Sequence, residues 1–280
     1  MTSATILIPA HNEASVIGRT LWFLSRGMPL NEYEVIIIAN GCTDATATRA
    51  RAVLPQALVL ETEQAGKCNA LNLGYSVRRG SGPVICLDAD LDVTSESLSA
   101  LIAPVREGSA LAACGQMDVA TSHASLAVRS FYRGWRINPY FNRGKFGGLF
   151  VLDRVAAERL FPLPEVTADD EFIRRSFAPG DIASVPACTF TARAPATLRD
   201  LVKVRRRSIR GTREIASLGL PRPEGNSLPV LLKHAFSKPA DAGPVLVFLT
   251  VMIWVRMLLA IEGNSQSQVW ERDLSSRVAG

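Results

Sequence analysis

The chain has 280 residues, 48% of them hydrophobic, and its 31 Lys and Arg against 26 Asp and Glu give a net charge of +5. This composition excludes a disordered or collagen-like chain, because the apolar content is sufficient for a core. The modest positive charge fits a nucleic acid, an anionic membrane or a phosphorylated substrate, and does not choose among them. The five cysteines are widely spaced and form no C-x-x-C pair, which disfavours a disulfide framework or zinc site and favours the cytoplasm.

Strand-like and helix-like segments alternate through the first third of the chain. The predicted strands are 5–9, 34–40, 57–60 and 84–87, and the predicted helices are 14–27, 44–53, 69–79 and 95–106. This alternation indicates βαβ units, and therefore an α/β fold whose mainly parallel central sheet has helices on both faces. Ligands of such folds bind at the carboxyl ends of the strands, so the residues that follow each strand are the candidate site.

The pattern is less regular after residue 93. We predict strands at 110–119, 147–151, 182–185 and 189–194, a short helix at 167–177 and a basic helix at 198–218. The expected organisation is a catalytic domain over 1–220 with halves 1–93 and 94–220, a linker over 221–243, an apolar helix over 244–261 and a polar tail over 262–280.

Two aspartates follow the predicted strand that ends at Leu87. Asp88 and Asp90 flank Ala89, and carboxylates at a strand end are suitable ligands for Mg²⁺ or Mn²⁺ together with substrate phosphates. The alternative is an ordinary turn, in which Asp is common.

A second candidate, Gly66 with Lys67, precedes a predicted helix. Glycine permits close backbone approach, and lysine at a helix N-terminus offers a charge to phosphate, although a loop with a solvated lysine is the alternative. The sequence lacks both G-x-x-x-x-G-K-[ST] and an early G-x-G-x-x-G, which disfavours a P-loop nucleotidase and a dinucleotide oxidoreductase.

Three consecutive acids, Asp169, Asp170 and Glu171, begin another predicted helix. They can complement the helix dipole, or one can serve as a general base for a sugar hydroxyl. The sequence leaves these two roles open.

Positive charge is concentrated in the basic helix. Residues 198–213 carry seven basic residues and one acid, 7 − 1 = +6, so the rest of the chain sums to 5 − 6 = −1. Five of the seven recur at steps of three and four on one helix face, which suggests a diphosphate, anionic lipid or nucleic acid partner. No aromatic residues interleave with them, so we expect no nucleic acid partner.

In order along the chain, these motifs resemble those of the family 2 glycosyltransferases, which have a GT-A fold and invert configuration. The resemblance covers about residues 5–215 and implies contacts to a nucleotide-diphosphate sugar from one set of residues: Pro9, Ala10, Asn12, Glu13, Asn40, Thr43, Asp44, Gly66, Lys67, Asn69, Asp88 and Ala89. Asn40 replaces the first Asp of the family's D-G-S-T-D-x-T loop, which makes the base that it would contact less certain.

The resemblance also implies roles in catalysis. Asp90 and Asp88 match the D-x-D metal motif for Mg²⁺ or Mn²⁺, and Asp169 matches the base of the T-E-D element, with Asp170 as a rival. Gly147, Gly148 and Trp135 fall on the acceptor side, and Arg206 or Arg207 would assist on the diphosphate. The Q-x-x-R-W element is missing, which favours a transferase of one hexosyl group over a processive synthase.

The expected function is transfer of one sugar to a glycan or lipid-linked acceptor, in polysaccharide or envelope glycan biosynthesis. The alternatives are a sugar-phosphate nucleotidyltransferase and a non-catalytic, membrane-associated binding protein. The apolar segment 244–261 is as compatible with a membrane span as with a buried helix or an oligomer contact. With no secretory signal expected, we predict a location at the cytoplasmic side of the cell membrane, peripheral or single-span, or otherwise in the cytoplasm.

Overall fold

A computed structural model describes residues 4–27, 29, 32–138, 145–220 and 227–262. The chain forms two compact units. The first consists mainly of Met1–Asp118 and Gly144–Ala192, and the second of Val119–Arg143 and Arg193–Val278. This division differs from the sequential arrangement predicted above, because each unit is built from separate stretches of the chain.

Eight strands belong to one sheet in the described part of the chain. They are β1 (Ala4–Ala10), β2 (Tyr33–Asn40), β3 (Leu58–Thr62), β4 (Val84–Leu87), β5 (Asp92–Val93), β6 (Ala112–Ala120), β7 (Leu149–Leu152) and β8 (Ile182–Arg193). Their order is β3-β2-β1-β4-β7-β6-β8-β5. The pairs of β1 with β2, β1 with β4 and β2 with β3 are parallel, whereas β7 is antiparallel to β4 and β6, and β5 is antiparallel to β8.

Ten α-helices accompany the sheet within the described ranges. They are α1 (Ile17–Ser25), α2 (Thr46–Val53), α3 (Lys67–Val77), α4 (Ser95–Arg106), α5 (Leu126–Arg136), α6 (Arg154–Leu160), α7 (Asp169–Arg175), α8 (Leu198–Ser217), α9 (Ser227–Ser237) and α10 (Ala242–Ile261).

The first unit buries apolar side chains on both faces of the sheet. Successive strand residues point to opposite faces, and accordingly Ile6 and Ile37 belong to one buried cluster while Leu7 and Ile36 belong to the other. Continuous apolar runs in β1 and β2 therefore follow from burial on both sides. The parallel strands end together at the edge that carries the candidate site, with Ala10 opposite Ala39 and Asn40 opposite Thr62.

The second unit contains helices α5, α8, α9 and α10. Helix α10 buries a stripe against its neighbours, formed by Val245, Phe248, Val251, Val255 and Leu259. A close approach of α10 to α5 depends on Gly134, because a Cβ there would lie 2.3 Å from the Pro244 carbonyl oxygen.

Several elements differ from the sequence-based predictions. The strands predicted at 182–185 and 189–194 form the single strand β8, which continues through Pro186 because the fixed φ of proline is compatible with an extended backbone. Helices α5 and α6 were not predicted, and α9 lies within the predicted linker 221–243. Residues 221–226 of that linker, and 263–280 of the predicted polar tail, lie outside the described residues.

Candidate active site

Asp88 lies directly after β4, at the edge where the parallel strands end. Its backbone N–H donates to the carbonyl of Gly148, at 2.8 Å, just before β7. Gly148 has a φ of +87°, and a Cβ at this position would lie 2.4 Å from Asp88 Oδ2. Gly148, predicted on the acceptor side with Gly147, therefore provides the space in which the Asp88 carboxylate lies.

Lys67, the first residue of α3, joins two acids that are far apart in sequence. Its Nζ lies 2.7 Å from Asp88 Oδ1 and 2.9 Å from Asp169 Oδ2. Burial opposes the positive charge, but the carboxylates of Asp169, Asp88 and Asp170 outweigh it and hold the pKa of Lys67 well above its ordinary value. Lys67 therefore stays charged near neutral pH and electrostatically links the two aspartates.

Asp169 begins α7 and is only 4% exposed. Burial raises the pKa of its carboxyl to about 6, against the opposing effect of Lys67 and with added repulsion from Asp170 and Asp88. A carboxyl group with a pKa just below neutral is suited to accept a proton at physiological pH. Asp170 is more exposed, and its Oδ1 accepts the Glu171 backbone N–H at 2.8 Å, which suits an acid in the first turn of a helix. Asp169 and Asp170 therefore differ in burial and in hydrogen-bond partners.

Contacts between α3 and the segment before α7 hold Asp169 beside Lys67. The Asn72 amide donates to the Leu163 carbonyl at 2.9 Å and accepts from the Leu163 N–H at 2.7 Å. The Cys68 thiol donates to the Val166 carbonyl. Sequence reasoning did not predict these hydrogen bonds. Their one indication in the sequence is that the polar residue Asn72 lies about one and a half helical turns after Lys67.

Two further acids, Asp90 and Asp92, follow Asp88 in the segment after β4. Arg19 donates to the Asp92 carboxylate at 2.7 Å, and its Nη2 lies 3.4 Å from the Asp90 carbonyl oxygen. Ala89, predicted to contact the nucleotide, is buried in the core, and its carbonyl accepts the Thr20 hydroxyl.

The donor set fits a hard divalent cation that shares its coordination with a substrate. Asp88 and Asp90 are partly exposed and offer carboxylate oxygens, the ligands that Mg²⁺ and Mn²⁺ prefer. Among the described residues, no group of three or more His, Cys, Asp and Glu is placed to hold an ion. Such a site typically uses one or two carboxylates, with substrate phosphates and water supplying the other ligands.

Asn40 was predicted to contact the nucleotide base, and it is only 2% exposed. Its Nδ2 donates to the carbonyls of Ala10 and Ile38, and its Oδ1 accepts the Gly66 N–H at 3.1 Å. Asn40 therefore connects the ends of β1 and β2 to Gly66, which directly precedes Lys67 and helix α3. An amide can donate and accept at once, whereas a carboxylate cannot donate.

The loops after β1 and β2 are joined by side chains predicted to contact the nucleotide. Asn12 Oδ1 accepts from the Thr43 N–H at 2.6 Å, and Asp44 Oδ2 accepts from the Ala14 N–H at 3.1 Å. Glu13 is buried, and its N–H donates to the Thr46 hydroxyl.

Three other residues predicted to contact the nucleotide lie near these loops. Pro9 and Ala10 are buried in β1, so any contact from them is through the backbone. Asn69 lies partly buried in the first turn of α3, next to Gly66.

Three predicted site residues belong to the second unit. Trp135 is 6% exposed and packs edge-on against Tyr132, with the Arg205 guanidinium 5.0 Å from its ring centre. This burial is typical of a core residue and does not support the predicted role in stacking on an acceptor sugar. Arg206 is ion-paired with Glu262, which offsets the charge predicted to bind diphosphate, and Arg207 is partly buried on the same helix.

Comparison with known proteins identifies the family. The model of glycosyl transferase family 2 matches residues 5–161. The chain belongs to this family. Its membership confirms the predicted enzyme class, and no curated protein sequence matches the chain significantly.

Solved structures share the fold at low sequence identity. A mannosyltransferase from Pyrobaculum calidifontis, in complex with GDP-Man and Mn²⁺, is 20% identical over 93% of this chain and 79% of its own, with a TM-score of 0.61. A mycobacterial protein is 19% identical over 79% of this chain and 76% of its own, with a TM-score of 0.57.

Glucosyl-3-phosphoglycerate synthase from Mycobacterium tuberculosis is a further structural match. Its complex with Mn²⁺, UDP-Glc and glycerol 3-phosphate is 18% identical, with coverage of 79% and 82% and a TM-score of 0.54. These similarities confirm the predicted GT-A architecture.

Proposed function

We propose that this family 2 glycosyltransferase is a metal-dependent, inverting enzyme that moves one sugar from a nucleotide-diphosphate sugar to a hydroxyl of a glycan or lipid-linked acceptor. The observation that carries the proposal is the contact of Lys67 with both Asp88 and Asp169. It brings an acid of the D-x-D motif close to a buried acid that can accept a proton. The GDP-Man and UDP-Glc of the solved relatives support the donor class.

In the proposed reaction Asp169 is the general base. Its carboxylate accepts the proton of the acceptor hydroxyl while that oxygen attacks the anomeric carbon. A new C–O bond forms on one face of the sugar, and the bond to the nucleotide diphosphate breaks on the opposite face, with its electron pair leaving on the diphosphate oxygen. Configuration is therefore inverted. The raised pKa of Asp169 makes it a stronger base than an exposed aspartate while leaving it mostly ionised at pH 7.

Asp88 and Asp90 would hold a Mg²⁺ or Mn²⁺ ion, whose charge would offset the negative charge that develops on the leaving diphosphate. Lys67 holds Asp88 and Asp169 in fixed positions through its two ion pairs. Arg206 and Arg207 remain the arginines expected to assist on the diphosphate, and Arg206 is also ion-paired with Glu262. We further propose roles in polysaccharide or envelope glycan synthesis at the cytoplasmic side of the cell membrane.

Binding of GDP and UDP, with and without Mn²⁺, should be measured by calorimetry, followed by turnover of GDP-Man and UDP-Glc. We expect metal-dependent binding of one nucleotide, and loss of turnover in Asp90→Ala and in Asp169→Asn with folding retained. Asp170→Asn is the matched control and should keep most of the activity. Near-normal turnover in Asp169→Asn would contradict the assignment of the base, and exchange between a nucleoside triphosphate and a sugar phosphate would identify a nucleotidyltransferase instead.

A further inference from the structure

Helix α10 has two apolar faces, and only one of them is covered. The buried face is the stripe from Val245 to Leu259 described above. The opposite face is exposed and recurs at helical spacing, with large apolar side chains at Leu246, Ile253, Trp254, Met257 and Ile261. Monomeric soluble proteins rarely expose a continuous apolar surface of this kind, so this face indicates an interaction site.

Both ends of α10 are fixed to the unit to which the helix belongs. At the N-terminal end, Asp241 accepts hydrogen bonds from Arg133 of α5, at 2.7 Å, and from His234 of α9, at 2.9 Å. At the other end, Glu262 is ion-paired with Arg206 and Arg210 of α8. The helix is therefore held along its whole length against the other helices of the second unit.

This attachment is incompatible with a membrane span, although Pro239–Ile261 is, within the described residues, the one helix long and apolar enough to cross a bilayer. A spanning α10 would expose its inner stripe to lipid and pull Arg133, Arg206 and Arg210 towards the hydrocarbon, where charged groups are costly. Separation from α5 and α8 would instead break the ion pairs at both ends. Each alternative loses contacts that the fold provides.

We propose that α10 lies in the plane of an anionic lipid bilayer, with the face from Leu246 to Ile261 inserted at the level of the headgroups. A helix that lies at a bilayer surface binds through buried apolar area together with attraction to anionic lipid. Trp254 belongs to the residue types that favour this interface. The neighbouring helix α9 also carries exposed apolar side chains, among them Leu228, Leu232 and Phe236, which recur every four residues.

The charge near this face favours lipid over a second copy of the chain. Over residues 227–262 the two acids, Asp241 and Glu262, are engaged by cations, whereas Lys233, Lys238 and Arg256 are exposed. In a symmetric dimer the same patch meets itself, so these like charges would face each other. Anionic headgroups complement them instead.

Vesicle binding tests the proposal directly. With vesicles of phosphatidylcholine and phosphatidylglycerol in equal parts, we expect the intact chain to bind, and the double variant Ile253→Glu, Met257→Glu to bind at least about tenfold more weakly. Val155→Glu, on the exposed surface of α6, is the matched control and should bind like the unmodified chain. Undiminished binding of the double variant, or a dimer in solution that does not bind vesicles, would overturn the proposal.

Orientation requires a second experiment. With Cys42→Ser as the background, Ser237→Cys and Ser267→Cys mark the chain before and after α10, and both should react with a membrane-impermeant maleimide on sealed vesicles. Protection of one end would show a span and refute the in-plane arrangement. Binding does not depend on the proposed chemistry, so Asp169→Asn should bind vesicles normally even though it is inactive.

Discussion

Replacing Lys67 with methionine would remove the charge that lies between Asp88 and Asp169. The remaining influences on Asp169, which are burial, Asp170 and Asp88, all raise the pKa of its carboxyl. We therefore expect the pKa of Asp169 in Lys67→Met to lie above the value of about 6 that it has in the unmodified chain. The base would then be protonated at neutral pH, and activity would be recovered only in more alkaline solution.

The size of this effect follows from the distance between the charges. At the 2.9 Å that separates Lys67 Nζ from Asp169 Oδ2, Coulomb's law gives about 1.4 kcal/mol in water and about 6 kcal/mol at an effective dielectric constant of 20. Since 1.36 kcal/mol corresponds to a tenfold change, the proton affinity of Asp169 should rise roughly tenfold to ten-thousandfold. The near-complete burial of Asp169 favours the upper part of this range.

Two measurements on Lys67→Met check this reasoning. One is the pH dependence of kcat/KM with the donor that the binding screen selects, in which the acidic limb should move to higher pH. The other is a carbon NMR titration of labelled aspartate, with Asp169→Asn used to assign the signal. Lys67→Arg keeps the charge and Lys233→Met removes an exposed lysine elsewhere, and both should leave the pKa close to its original value. An unchanged pKa in Lys67→Met would refute the proposed coupling.

Asn40→Asp should lower the free energy of unfolding by about 1–3 kcal/mol in urea, because a carboxylate cannot donate to the Ala10 carbonyl; unchanged stability would contradict the bridging role. Gly148→Ala should reduce kcat/KM about a hundredfold by displacing the Asp88 carboxylate, whereas Gly180→Ala, with open space around its Cβ, should be neutral. Because the pKa of Asp169 is raised to about 6, the folded chain holds this proton more tightly than the unfolded chain does. The free energy of unfolding should therefore decrease by about 3 kcal/mol as the pH rises from about 4 to about 6. In urea titrations, Asp169→Asn should not show this decrease with pH. The same pH dependence in Asp169→Asn and in the unmodified chain would contradict the prediction.

The residues of the candidate site were accessible to sequence reasoning to different degrees. Asp88, Lys67 and Asp169 stand at element boundaries with recognisable motifs, so their position at the ligand-binding edge could be predicted. The buried bridge made by Asn40 and the tether made by Asn72 could not, because hydrogen bonds of a single amide across 26 and 91 positions leave no local pattern. The burial of Trp135 could not be predicted for a related reason, since an aromatic residue has the same sequence signal in a core as at a sugar-binding surface.

By itself, the sequence determined the α/β class, most of the early strands and helices, and the acids and lysine that carry the proposed chemistry. Hydrophobic periodicity and polar residues at strand ends are local properties of the sequence. A strand that is buried on both sides is a continuous apolar run, which can be recognised without knowledge of the rest of the fold. The tertiary structure alone decided which of Asp169 and Asp170 is buried beside Lys67, and that Arg206 is paired with Glu262. It also showed that the apolar helix α10 has one covered and one exposed face. Pairing and burial depend on which distant segments meet, and no local pattern in the chain specifies them.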